Sequence, residues 1–150
     1  MAGEISRKEL ILALIPAGTN PRLAGVNLSV LDLTRLDLSG ANMRGCNLQA
    51  ATLREAILRA VNLSYANLIT VNAVGIDLDS ANLTGANLSS SNLQSARLTN
   101  SNLNNAIVNG ANLQGANMHG ATVNGLKFDE STTWPDGKKG SQGNPISYTT

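Results

Sequence analysis

Few side chains in this sequence have the chemistry to act on a substrate. Cys46 and His119 are its single cysteine and single histidine. They supply the one soft nucleophile and the one side chain that ordinarily titrates near neutrality. Asp32, Asp37, Asp77 and Asp79 are close enough in sequence to raise the question of paired-carboxylate chemistry. Each of these reactions requires its groups to converge in a cleft, with a base in reach of a nucleophile. A lone cysteine forms neither an internal disulfide nor a Cys-based metal cage. The glycines spell no phosphate loop, because GxGxxG and GxxxxGK[ST] are both absent.

The elements that must position these groups are written in a period of five. From Leu23 to Phe128 an apolar residue stands at every fifth position, giving 22 centres, sixteen of them Leu. The others are Met43, Ala73, Val108, Met118, Val123 and Phe128. Positions five apart lie ~140° from each other on a helix, and on opposite faces of a straight strand. Neither element buries such a set together. A second lane of small or aliphatic residues runs two positions earlier, through Val26, Ala41, Cys46, Ala66, Ala86 and Ala111. Two inward positions separated by two describe a short extended side. The glycines two after a centre, such as Gly45, Gly85 and Gly115, relieve a bend between sides. The chain therefore winds as an all-β solenoid with Leu along its axis.

Charge spacing sets the number of sides. Residues one coil apart stack ~4.8 Å from each other, so like charges one coil apart are disfavoured. Twenty residues separate three opposite pairs, Arg35/Glu55, Arg59/Asp79 and Asp77/Arg97, and no like pair. Fifteen residues separate one opposite pair, Arg22/Asp37, and one like pair, Arg44/Arg59. Four sides per coil fit better than three.

The units ANLTG, ANLSS, ANLQG and ANMHG resemble the A(D/N)Lxx unit of the pentapeptide repeat proteins over residues 21–130. That resemblance implies a right-handed quadrilateral β-helix, and its style is similar to bacterial, particularly cyanobacterial, members. Asn or Asp fills fifteen of the 22 positions just before a centre. Such residues favour turns or stack as amide ladders. Thr52, Ile57, Arg97, Ile107, Thr122 and Lys127 depart from the unit. Ala73 is expected to leave room for Val71 and Ile76, or a small cavity.

Three segments follow. Residues 1–20 form an N-terminal helical cap, with Ser6 and Glu9 as a capping box and a helix near 7–15 ended by Pro16 and Gly18. Its Leu10, Ile11, Leu14 and Ile15 are expected on the first coil; a partner-binding helix is the alternative. Residues 21–130 form the β-helix. Residues 131–150 form a turn at Trp134-Pro135-Asp136-Gly137, with Trp134 closing the last coil, and a polar flexible tail.

On this scaffold His119 and the four aspartates face outward on a convex surface, and Cys46 is a small inward hydrophobe. No enzyme, cofactor or metal site is expected. A net charge of +1 gives no footprint for direct nucleic-acid binding. The apolar run Leu10–Ile15 is short for a signal peptide, and nothing reaches membrane-span length. A cytoplasmic protein is the expectation.

The reading is a non-catalytic protein–protein interaction or scaffold module with an unknown protein partner, and a homodimer through one end of the rod is possible. Arg44, Arg54, Arg59, Tyr65, Ile69 and Val74 are the candidate contact residues, with Ile57 outward nearby. The competing reading comes from the family resemblance: some members inhibit or protect DNA gyrase or topoisomerase as DNA mimics. A near-neutral repeat region disfavours it, since DNA carries dense phosphate charge.

Overall fold

A computed structural model describes residues 5–17 and 20–150, without the side chains of 15–17. Parallel bridges join each residue before a centre to its equivalent twenty positions on, from Arg22↔Asn42 to Ile107↔Lys127. One coil therefore holds four five-residue sides, as the charge spacing predicts. Each side is too short for a multi-residue strand, and its bridges tie it to the coils on either side. Leu28 N–H donates to the Asn47 carbonyl at 2.7 Å, and Asn47 N–H donates to Val26 at 3.0 Å.

The bend after each centre is a turn in which the centre's carbonyl accepts the N–H three residues on. At Leu63 this N–H is Ala66's, at 3.1 Å. The residue second after the centre takes positive φ at every corner from Gly25 to Gly125. This is the position where a type II turn calls for glycine. Nine corners have glycine there, and twelve carry another residue at φ 54–60°, including Val30, Tyr65 and Thr70. Left-handed backbone costs a non-glycine residue about 1–2 kcal/mol. The coil's path imposes the conformation even where the sequence does not favour it.

Asn and Asp help to close these bends. All fifteen, from Asn27 to Asn117, direct a side-chain oxygen onto the N–H two residues later, as in Asn87 to Ser89 at 3.0 Å. Turn chemistry, not amide stacking along the rod, is their role. Where Thr122 breaks the pattern, Asn124 N–H is taken by Asn104 from the preceding coil at 2.9 Å.

Inside, the Leu centres from Leu28 to Leu113 and the small lane between them form one continuous core. Ala73, Val71 and Ile76 are all buried, each 1% exposed. In the first coil, where the small lane carries larger side chains, Val26, Leu31 and Leu36 are only partly buried. Ser91 and Ser101 occupy the small lane and are buried. Ser101 Oγ donates to the Leu98 carbonyl at 2.7 Å, whereas Ser91 Oγ has no partner.

Helix α1 spans Arg7–Ala17 and so includes Pro16, two residues beyond the predicted end. Ser6 Oγ accepts the Glu9 N–H at 3.1 Å. Leu10 is fully buried in the core and Leu14 packs against it, while Ile11 is 36% exposed and turned away. The Ile15 side chain and Gly18 lie outside the described residues. Arg7 donates to the carbonyls of Asp32 and of Thr34, the latter at 3.0 Å. In later coils the equivalent carbonyls, of Thr52 and Arg54, accept N–H groups from the coil before. The guanidinium thus replaces backbone donors at the rod's first edge.

At the other end the register slips by one residue, with Asn112 bridging to Thr133. Gly137 N–H closes the expected turn on the Trp134 carbonyl at 2.9 Å. Trp134 is fully buried, edge-on to Phe128 at 5.1 Å and stacked on Tyr148 at 5.7 Å. Its indole N–H donates to the Gly140 carbonyl at 2.8 Å. Residues 138–150, expected as a flexible tail, are placed against the last coil, with Gly120 N–H donating to Thr149 at 2.7 Å. Polar composition hid this, because two aromatic residues far apart in sequence provide the seat.

Candidate interaction surface

The twenty-residue register sorts every outward side chain onto a side or a corner. The corners follow Leu23, Leu28, Leu33 and Leu38 and recur with each coil. Arg44 and Tyr65 stand on the first corner, Ile69 on the second, Arg54 and Val74 on the third, and Arg59 on the fourth. The six candidates therefore do not form one face. Ile69, Val74 and Ile57 are half-buried, whereas Tyr65 is 57% exposed.

Two candidates do meet. The Arg44 guanidinium lies over the Tyr65 ring, 4.6 Å from its centroid, and donates to Ser64 Oγ at 3.1 Å. Ser64 Oγ donates in turn to Asn62 at 2.7 Å. On the other side the ring rests on Gly85, one coil on. A Cβ there would come within 2.6 Å of the ring. Tyr65 is thus held between neighbours on adjacent coils although more than half of it faces solvent. Gly85 could not be recognised as part of this site until the coil length was known.

A second cluster combines two acids with two arginines. Arg59 Nε lies 2.6 Å from Asp77, and Arg97 lies 3.6 Å from Asp77 and 3.9 Å from Asp79. The pairings Arg35/Glu55, at 3.0 Å, and Asp77/Arg97 follow the charge spacing. Arg59 departs from it, reaching diagonally to Asp77 instead of Asp79. A hydrogen bond from the Thr99 hydroxyl, then the Arg97 charge, holds Asp79 below the usual carboxylate range against desolvation. Asp79 is therefore poised as a partner for cations, not as a proton donor.

The remaining groups stay apart. His119 is exposed on the fourth corner. Cys46 is buried, and desolvation raises its thiol to about 12. Such a thiol has almost no thiolate at neutral pH. A shallow depression of about 230 Å³ lies between Ser29, Val30, Asn47, Gln49 and Ala50 and contains no titratable group. Among the described residues, no group of three or more His, Cys, Asp or Glu could hold a metal ion. No helix there is long and apolar enough to cross a membrane.

No curated protein matches the sequence. Among solved structures, a pentapeptide repeat protein, Rfr23, from the cyanobacterium Cyanothece 51142 is 28% identical. That match covers 83% of this chain and 99% of that one, with a TM-score of 0.43. A pentapeptide repeat protein from the Arabidopsis thaliana thylakoid lumen is 24% identical, covering 77% and 68%, with a TM-score of 0.49. HetL, involved in heterocyst differentiation regulation in Nostoc sp. strain PCC 7120, is 22% identical, covering 91% and 100%, with a TM-score of 0.31. The family profile for pentapeptide repeats, in eight copies, matches residues 22–59, 62–100 and 96–132, the span over which the coils repeat. The chain belongs to the pentapeptide repeat family.

Proposed function

We propose that the chain is a non-catalytic protein-interaction module, a rod wound in the right-handed sense that family membership implies and working in the cytoplasm. The observation that supports this most is the unbroken register from Arg22 to Lys127, which holds outward side chains on convex corners at fixed spacing. A partner binding such a surface meets little ordering cost in the rod, so modest contacts suffice. His119 stands two coils beyond Asp79 on the same corner, ~10 Å along the rod at strand spacing, and Cys46 is buried inside. A DNA mimic of this length, about 25 Å at strand spacing, would need about fifteen charges at one per ~1.7 Å. Residues 21–130 contain seven carboxylates.

The test is quantitative capture of partners on immobilised intact protein, followed by solution titration of each captured protein. The expected result is saturable binding that at least one of Arg44→Glu, Arg54→Glu, Arg59→Glu or Ile69→Asp weakens. Absence of any saturable partner would contradict the proposal. Inhibition or protection of gyrase supercoiling at micromolar protein would replace it with the topoisomerase reading.

A further inference from the structure

The near-zero net charge conceals a sorting by register. Over residues 21–128 the carboxylates are Asp32, Asp37, Glu55, Asp77 and Asp79. All five stand on the third and fourth sides or on their corners. The first and second sides and the corner between them have no carboxylate in any coil. They carry Arg22, Arg44 and Lys127. Over these residues the two sides and the corner between them are therefore purely cationic and the rest is mixed; Asp129 follows on the second corner, where it accepts the Gly110 N–H at 3.0 Å. The salt bridges of the repeat region all fall in the mixed part.

The cationic part also contains Tyr65, the one aromatic residue among the twelve non-glycine corners, at φ 59°. Its backbone conformation is one that a bulky residue adopts only at a cost of about 1–3 kcal/mol. The ring buries little in return, being 57% exposed. It is nevertheless fixed between Arg44 and Gly85. An aromatic ring immobilised before binding, beside an arginine, is the combination that anchors protein interfaces.

We propose that this corner, with Arg44 and Tyr65 as anchors and Arg22 beside them, binds a carboxylate-bearing segment of a partner protein. The proposal rests on the interaction-module reading and gives it a location. Arg22 and Arg44 lie on adjacent coils, ~4.8 Å apart along the rod, at positions within the coil that differ by two residues. That spacing suits neighbouring acidic side chains of one peptide. A nucleic acid fits less well, because tight binding draws on many phosphate contacts. Lys127, the third cation, lies five coils from Arg22.

The experiment uses the intact protein labelled with 15N and three probes: a peptide alternating Glu and Thr, its Lys–Thr counterpart, and oligo-dT. The Glu–Thr peptide should shift the amides of Arg22, Arg44, Ser64, Tyr65 and Gly85, and the Lys–Thr peptide should not. Arg44→Glu should weaken binding roughly fivefold or more, since it places like charge against the probe. Tyr65→Gly, which relaxes the corner backbone, should weaken it measurably without unfolding the rod. Gln114→Glu, on the third corner, should leave it unchanged. Shifts elsewhere, equal loss with Gln114→Glu, or tighter binding of oligo-dT would each overturn the proposal. A natural partner whose capture survives Arg44→Glu combined with Tyr65→Gly would overturn this location and leave the module reading intact.

Discussion

Gly45 and Gly85 occupy the same corner one pair of coils apart, with φ of 65° and 66°, yet replacing each by alanine should have different consequences. A Cβ on Gly45 meets nothing within 4 Å, whereas one on Gly85 falls 2.6 and 2.7 Å from two carbons of the Tyr65 ring. Left-handed backbone costs alanine about 1–2 kcal/mol. Reduced freedom in the unfolded chain returns about 0.4–1 kcal/mol. Gly45→Ala should therefore destabilise by about 1 kcal/mol. Gly85→Ala carries the same backbone cost and also displaces the ring from Arg44, a contact of about 0.5–1 kcal/mol at exposed sites. With the lost packing, its total should reach about 2–3 kcal/mol. Urea unfolding followed by circular dichroism and by Trp134 fluorescence measures both. In a Tyr65→Gly background the Gly85→Ala cost should drop to that of Gly45→Ala, giving a coupling of about 1 kcal/mol or more. Equal costs for the two glycines, or no coupling, would refute the stacked arrangement of Tyr65 on Gly85.

Two further outcomes follow from buried polar groups and from carboxylates. Ser91→Ala should raise stability by about 1 kcal/mol, because it removes a buried hydroxyl without a partner. Ser101→Ala, which removes the bond to Leu98, should lose up to about 1 kcal/mol, and matched urea midpoints would check both. Hydrogen bonds lower the carboxyl pKa at Asp32, first from the Thr34 hydroxyl, at Asp37, first from the Ser39 N–H, and at Asp79, first from the Thr99 hydroxyl. A folded pKa below the unfolded one gives stability above about pH 4 that is lost as pH falls through the folded value. The thermal midpoint should therefore be nearly flat from about pH 5 to 7 and fall below about pH 4; a midpoint unchanged down to about pH 2 would contradict this.

The coil was legible because its signal is geometric: only a chain that turns between Leu centres can bury all of them. Arg35 and Glu55 reported its length correctly, because they meet straight across the step at 3.0 Å. Arg59 did not, because a long guanidinium spans a diagonal as easily and Asp77 offers it a carboxylate on the adjoining side. The non-glycine corners were hidden for a different reason. Nothing about Val30 or Tyr65 favours positive φ, and only the closed path of the coil requires it. The candidate surface was read as a zone along the chain, but adjacency on a solenoid is set modulo one coil. Arg44 meets Tyr65, twenty-one residues away, while Arg54 and Arg59 stand on different corners. The cationic part of the rod emerges only after that same folding of the numbering. The seat of the tail was invisible because Trp134 and Tyr148 are separated by a run of polar residues.

The twenty-residue register supports the corners, the Tyr65 seat and the charge sorting alike, and cross-linking tests it directly. In a Cys46→Ala background, cysteines replacing Gln94 and Gln114 would sit one coil apart, ~4.8 Å along the rod, within disulfide reach. Cysteines replacing Gln94 and Asn109, fifteen residues apart, would sit on different corners. Ready oxidation of the first pair alone, with folding retained, is the predicted result. Oxidation of the second pair in preference to the first would mean three sides per coil and would contradict the register.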